Sequence, residues 1–229
     1  MAPDAQKALA KFDMCLPKEV LVNPQIFSVR TIDIDNNIEK FYQRFYMNMD
    51  RTKFDNFLIS LIPDNVEVCK NSVCKKVSKV EDKYFVEFET ENGRRTENSR
   101  IVIGADGANS IIRNVFYKKV KIKKYVSIQE WYKNTNVSPF YSCIFDRKIT
   151  DSYSWTISKG DYFIIGGAFP MKDSNKRFEL LKATVKEKGI EFDNKEKREG
   201  CFVYISKGIG SICTGKNGVY LVRRSGRDD

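Results

Sequence analysis

The chain has 229 residues, with 40 Lys and Arg against 30 Asp and Glu for a net charge of +10, and it has no histidine. The missing imidazole excludes Ser-His-Asp and Cys-His catalysis, His-based zinc and non-haem iron sites, and proximal-His haem. Acid–base work near neutral pH is left to shifted carboxylates, Lys, Tyr, Cys or a cofactor.

Residues 4–11 read as a short helix ahead of Cys15-Leu16-Pro17. Phe27–Ile34 and Glu39–Met49 alternate polar and apolar residues, which predicts two strands turned at Asp35-Asn36-Asn37. Asp50 stands where an N-cap belongs, and Phe54, Phe57, Leu58 and Leu61 follow at helical spacing until Pro63-Asp64-Asn65. A short strand is expected at Val66–Cys69. A meander follows: Val73–Val80, Tyr84–Glu89 and Arg94–Ser99, with turns at Glu81-Asp82-Lys83 and Glu91-Asn92-Gly93. Arg100-Ile101-Val102-Ile103-Gly104 is an apolar run of the kind a strand buried on both faces shows. Ile111–Phe116 turns helical. The second half is strand-rich, at Tyr125–Tyr132, Tyr141–Phe145, Ser152–Ser158, Tyr162–Phe169 and Phe202–Ser206, with one helix over Ser174–Lys188. A turn at Gly215-Lys216-Asn217-Gly218 leads into a last strand, Gly218–Val222.

Basic residues are scattered rather than gathered on one stripe, so nucleic acid is not an expected partner; the field suits an anionic small ligand such as a diphosphate. The densest stretch, Lys118–Lys124, alternates basic and apolar residues like an exposed strand or connector. None of the six cysteines forms a C-x-x-C pair, no apolar run approaches the ~18 residues of a membrane span, and buried free thiols in a reducing cytoplasm are expected. No metal site is expected.

The chemistry-bearing stretch runs from Ile101 to Ser110, with Arg113 three residues on. It combines a strand, a glycine-permitted turn and a helix start, which together present backbone N–H groups toward a phosphate or ribityl chain. Asp106 sits where open α/β sheets place ligand contacts. The same residues also make a plain strand-to-helix turn in which Asp106 caps the helix, and both readings stand at this point.

Gly104-Ala105-Asp106-Gly107-Ala108-Asn109-Ser110, with Arg113, resembles the DG motif of FAD-dependent oxidoreductases of the para-hydroxybenzoate hydroxylase type, most closely their geranylgeranyl reductase-like branch. Met49-Asp50-Arg51, with Phe54, Asp55 and Leu58, resembles that branch's DR..FD..L helix. Tyr153-Ser154-Trp155-Thr156-Ile157-Ser158-Lys159-Gly160 resembles its Y-x-W-x-F-P-K-G segment, with Ile157-Ser158 replacing Phe-Pro. Gly218–Val222 resembles the strand leading into its second FAD motif. The resemblance implies that Gly104, Asp106, Gly107 and Arg113 line FAD, that Arg51 faces it from the first long helix, and that Tyr153 and Trp155 line a substrate cavity rather than serving as ordinary core aromatics. It implies no catalytic side chain, because the flavin carries the redox chemistry.

The resemblance further implies a mixed α/β fold: a remnant of a Rossmann-like FAD-binding domain with a β-meander, plus an antiparallel-sheet substrate domain. Residues 1–50 are assigned to the substrate domain, 51–118 to the FAD-binding part, 119–213 to the antiparallel sheet and 214–222 to a returning strand. The G-x-G-x-x-G fingerprint is missing; Gly208, Gly210 and Gly215 have the wrong spacing. The chain therefore reads as the middle of a longer protein, truncated at both ends. A one-base shift in a coding sequence for Gly-Glu-Ala-Ala-Gly-Met reads Arg-Arg-Ser-Gly-Arg-Asp, so 223–229 reads as a frameshifted tail. The expected function is that of a fragment of a flavin-mediated reductase of a hydrophobic, isoprenoid-like substrate, with NAD(P)H as an electron donor. A flavoprotein monooxygenase and a non-enzymatic ligand-binding module lacking FAD are the alternatives. A lipid substrate would bring the chain to a membrane surface. Loss of a neighbouring strand would leave an open apolar face, and FAD is expected to be held weakly or not at all.

Overall fold

The computed structural model describes residues 1–118, 123–133, 138–205 and 215–222. Helix α1 (Pro3–Lys11) opens the chain with Pro3 in its first turn. Strands β1 (Ile26–Asp33) and β2 (Ile38–Tyr46) form an antiparallel hairpin, and α2 (Arg51–Ser60) starts where Asp50 accepts the Lys53 N–H at 3.0 Å. The meander is β3 (Val73–Val80), β4 (Lys83–Thr90) and β5 (Gly93–Ser99). Then come β6 (Val102–Gly104), a 3₁₀ turn at Gly107–Asn109 and α3 (Ile111–Phe116). The second half supplies β7 (Lys123–Lys133), β8 (Phe140–Phe145), β9 (Ser154–Lys159), β10 (Tyr162–Pro170), α4 (Ser174–Glu187), β11 (Lys195–Ile205), β12 (Gly215–Lys216) and β13 (Val219–Leu221).

Contacts divide the chain into two units. The larger holds residues 1–63 and 126–201 and carries a seven-stranded sheet in the order β11-β7-β10-β9-β8-β1-β2. This sheet is mixed rather than antiparallel: β1 runs parallel to β8, with Val29 opposite Tyr141 and Ile32 opposite Ile144. Phe178, Leu181 and Val185 of α4 pack on Ile144, Phe163, Ile165 and Phe169, so one face of the sheet forms the main core. A second small cluster joins Val20, Met49 and Phe54, which is why α2 groups with this unit instead of with the meander.

The smaller unit holds 64–125 and 202–228. It contains the β3-β4-β5 meander and a second sheet, β12-β13-β6, in which β13 runs parallel to β6. Its core is Val77, Tyr84, Val102, Ile112 and Val219. The Tyr84 hydroxyl donates to the Asn217 carbonyl, holding the β12–β13 turn on the meander.

Four expectations are corrected. Val66–Cys69 is irregular, and among the described residues no strand pairs with it. The Ile101–Gly104 run is not buried on both faces: Val102 and Gly104 point into the core, while Ile101 and Ile103 are 57% and 62% exposed. The strand expected at 202–206 starts at Lys195, its charged first half forming an edge strand. The described cysteines form no disulfide with one another, and Cys15, Cys69 and Cys201 are exposed rather than buried. The basic connector at 119–122, the glycines Gly208 and Gly210, and the tail 223–229 lie outside the described residues.

Candidate functional site

The turn after β6 brings Gly104, Asp106, Gly107 and Arg113 together in the smaller unit. Gly107 has φ +75°, a left-handed conformation that a side chain would strain. A Cβ on Gly104 would lie 2.8 Å from Leu221 Cδ2 and 3.2 Å from Ile112 Cβ, so the bare glycine lets α3 and β13 close on β6. Asp106 Oδ2 accepts the Ile111 N–H at 2.8 Å, and Ser110 Oγ accepts the Arg113 N–H at 2.9 Å. Two donors at the start of α3 are thus satisfied from within the chain. Arg113 is buried; its guanidinium donates to the Gly107 carbonyl at 3.3 Å and to that of Ala108, and lies 5.4 Å from the Tyr204 ring. Its role in the structure is to brace the turn.

This arrangement fits the hydroxyl-bearing part of a flavin cofactor better than a diphosphate. Asp106 is exposed, an anionic acceptor beside a residue with no side chain, which suits a ribityl hydroxyl donor and repels a phosphate. Lys124 Nζ donates to Asn109 Oδ1 at 2.9 Å, placing a cation at the far side of the turn. Cys74 is half-buried on β3; burial pushes its thiol upward, and the Asp106 carboxylate adds to this.

Tyr153 and Trp155 lie in the larger unit. Along β9, Ser154, Thr156 and Ser158 are buried while Trp155, Ile157 and Lys159 are half-buried on the opposite face. Trp155 stands opposite Cys143 and Gly166, and a Cβ on Gly166 would come within 2.5 Å of the indole, so that glycine seats the ring. Tyr153 lies 5.9 Å from Trp155 and 6.3 Å from Phe145, ring to ring, and Tyr46 stacks 5.3 Å from Tyr141. Trp155 belongs to none of the buried clusters. It is part of an aromatic face turned away from α4. Arg51, on α2 of the same unit, is half-exposed, pairs with Asp55 at 3.3 Å and lies over Phe54.

A polar group that sequence reasoning missed lies on the same aromatic face. Glu199 Oε2 accepts Gln129 Nε2 at 2.6 Å and Trp131 Nε1 at 2.9 Å, and Lys197 pairs with its other oxygen. Burial raises the Glu199 carboxyl, but the three donors together hold it below the ordinary glutamate range. Lys159 and Lys197 lie 5.3 and 5.5 Å from the Trp131 ring. Gln129 and Trp131 share the period-2 alternation of β7, the one available signal; recognising β11 as a strand was needed to bring Glu199 to them.

Among the described residues no helix is long and apolar enough to cross a membrane. No family model matches the chain. Protein CbrA of Escherichia coli O9:H4 (strain HS) is 43% identical over 222 residues, covering 97% of this chain and 61% of its own length. Protein CbrA of Escherichia coli O157:H7 is also 43% identical, covering 97% of this chain and 63% of its own. The chain thus spans about six tenths of the length of these curated relatives. Among solved structures, a geranylgeranyl bacteriochlorophyll reductase-like protein from Thermoplasma acidophilum superimposes with a TM-score of 0.77 at 18% identity, over 93% of this chain and 58% of that one. A triple mutant of the flavin-dependent brominase Bmp2 gives 0.68 at 14% identity, over 97% and 61%. The p-nitrophenol 4-monooxygenase PnpA from Pseudomonas putida DLL-E4 gives 0.64 at 12% identity, over 97% and 61%. At these identities the likeness is one of fold, and the chain has the mixed α/β fold shared by this reductase-like protein, this flavin-dependent brominase and this p-nitrophenol 4-monooxygenase.

Proposed function

We propose that the chain belongs to an FAD-dependent oxidoreductase acting on a hydrophobic, isoprenoid-like substrate, with reduction as the reaction. The observation that carries this reading is the strand–turn–helix at β6 and α3, where an exposed carboxylate and a left-handed glycine stand side by side in a fold shared with flavin-dependent enzymes. When bound, the flavin would supply hydride transfer to a carbon–carbon double bond. Asp106 would accept a ribityl hydroxyl through the oxygen not used by Ile111, and Gly107 would let the chain approach. Gly104 and Arg113 would shape the turn without touching the cofactor. Arg51 belongs to the other unit, and this reading of the turn does not use it. Tyr153 and Trp155 would offer an apolar surface to the substrate. Monooxygenation is the second reading, favoured by the likeness to a p-nitrophenol 4-monooxygenase.

Titrating the purified chain with FAD and following flavin fluorescence tests the cofactor turn. Because the first donors of α3 are already satisfied, weak binding is expected, with a Kd on the order of 10–100 μM, and Asp106→Ala should weaken it by about tenfold. Binding that Asp106→Ala leaves unchanged would overturn the assignment of the turn to the cofactor. A stoichiometric 450 nm flavin band on the purified chain would overturn the weak-binding expectation. Anaerobic oxidation of the reduced, flavin-loaded protein by an isoprenoid, with NADH or NADPH tried as donors, supports reduction. Product that forms only with O₂ supports monooxygenation.

A further inference from the structure

We propose that β2 is a self-pairing edge, through which two copies of the chain join their seven-stranded sheets antiparallel about a twofold axis at Phe41. Strand β2 ends the sheet order, and among the described residues its outer side pairs with no strand. Such an edge is normally short, bulged or strongly charged. This one is nine residues long and carries exposed Ile38, Phe41, Tyr42 and Phe45, with Phe27 of β1 alongside; Phe41 is 53% exposed and Phe27 59%. One end of the edge is already taken. Met47 N–H donates to the Met1 carbonyl at 3.0 Å and Gln6 Nε2 to the Phe45 carbonyl at 3.4 Å. The stretch left open is 38–44.

A twofold axis perpendicular to the sheet must lie between the two strands, level with one residue and its copy, and residues equidistant from it face each other on the same side of the sheet. Each centre within the open stretch can therefore be judged by the pairs it makes. An axis at Glu39 or Lys40 sets that charge directly against its own copy. An axis at Tyr42 sets Lys40 against Arg44 twice. An axis at Gln43 needs Phe45 and Met47, whose edge Met1 and Gln6 occupy. An axis at Phe41 pairs Phe41 with Phe41, Lys40 with Tyr42, Glu39 with Gln43 and Ile38 with Arg44. It makes no like-charge pair and uses only the open stretch. Aromatic, cation–π and amide–carboxylate pairs of this kind are the favourable cross-strand combinations. The occupant of this edge is thus a second copy of the chain, recognised by charge and aromatic register.

Sedimentation velocity on the full chain over roughly 1–200 μM, the range for a small edge-to-edge interface, should show a monomer–dimer equilibrium. Phe41→Lys places two ammonium groups on the axis and should shift the dissociation constant at least about tenfold upward, with an unchanged far-UV circular dichroism spectrum. Tyr42→Lys and Tyr42→Glu then read the register. The first faces Lys40 of the second copy and should weaken the dimer; the second should hold or tighten it, since Glu at 42 would meet Lys40. A chain that stays monomeric across the whole range overturns the proposal, as does a dimer indifferent to Phe41→Lys. A dimer that Tyr42→Glu disrupts while Tyr42→Lys leaves it intact overturns the Phe41 axis. Binding of vesicles or of another protein by a chain that remains monomeric would assign the edge to a different occupant and overturn self-pairing as well.

Discussion

The two units bury their strands differently. In the larger, α4 closes one face of the sheet so completely that even a carboxylate is taken inside: Glu130 on β7 is fully buried. It is met by Lys182 at 3.2 Å, Arg198 at 3.2 Å, Lys195 at 3.7 Å and the Tyr132 hydroxyl. In the smaller, β6 and β13 bury Val102 and Val219 on one side only, and Ile101, Ile103, Tyr220 and Val222 stay exposed on the other. Apolar content alone therefore does not decide burial. A strand is buried on as many faces as other elements cover.

The largest test of this contrast is Glu130→Ala. Removing the anion takes the buried partner from Lys182, Lys195 and Arg198, which themselves reach solvent, and the expected loss is about 2–3 kcal/mol in chemical unfolding. A loss below about 1 kcal/mol would mean that water already reaches Glu130 and that the larger unit is less closed than its geometry indicates. The same carboxylate sets an acid limb. Burial alone would raise Glu130, but the Tyr132 hydrogen bond and the nearby lysines hold it below its ordinary value of 4.5 in the fold. The unfolded chain then binds the proton more readily. Stability from this group is complete above pH 4.5 and is lost as pH falls through the lower folded value. Glu130→Gln should flatten that limb, which thermal melts between about pH 3 and 6 would show.

In the smaller unit the tightest point is Gly104. Gly104→Val would drive a side chain into Leu221 and Ile112, and should cost about 1–3 kcal/mol. Next in size is Ser110→Ala, which removes the acceptor for the Arg113 N–H at the start of α3 and should cost about 1 kcal/mol. Denaturant titration of each variant gives the measurement. Equal losses from the two changes would mean that β6 and α3 can separate without strain.

Much of this architecture was legible because it is local. The Asp50 cap, the meander's two-residue turns and the helix at Ser174 each announce themselves within a few residues. The cofactor turn was legible as a segment; the cap of α3 is Ser110, and Asp106 accepts the Ile111 N–H beside it. What stayed hidden depends on residues far apart in the chain. The first half of β11, with four charges in Lys195–Arg198, looks like a solvated run, yet Lys195 and Arg198 are there to meet Glu130 on β7. Glu199 reaches Gln129 and Trp131 by the same pairing. Neither half of either group shows its purpose until β11 and β7 are neighbours.

The smallest expected effect cuts closest to the contrast between the units. Ile103 is 62% exposed, so Ile103→Ser removes little apolar surface from a buried state and should change stability by no more than about 0.5 kcal/mol. The neighbouring core residue gives the reference: Val102→Ser, one position away on the same strand, would put a hydroxyl into the Val77, Tyr84, Ile112 and Val219 cluster and should cost at least about 2 kcal/mol. The ratio of the two losses measures how one-sided β6 is in solution. If Ile103→Ser instead cost about as much as Val102→Ser, the outer face of β6 would have to be packed against something. Repeating the titration at several chain concentrations would then separate packing within one chain from packing between copies, because only the latter makes the loss depend on concentration.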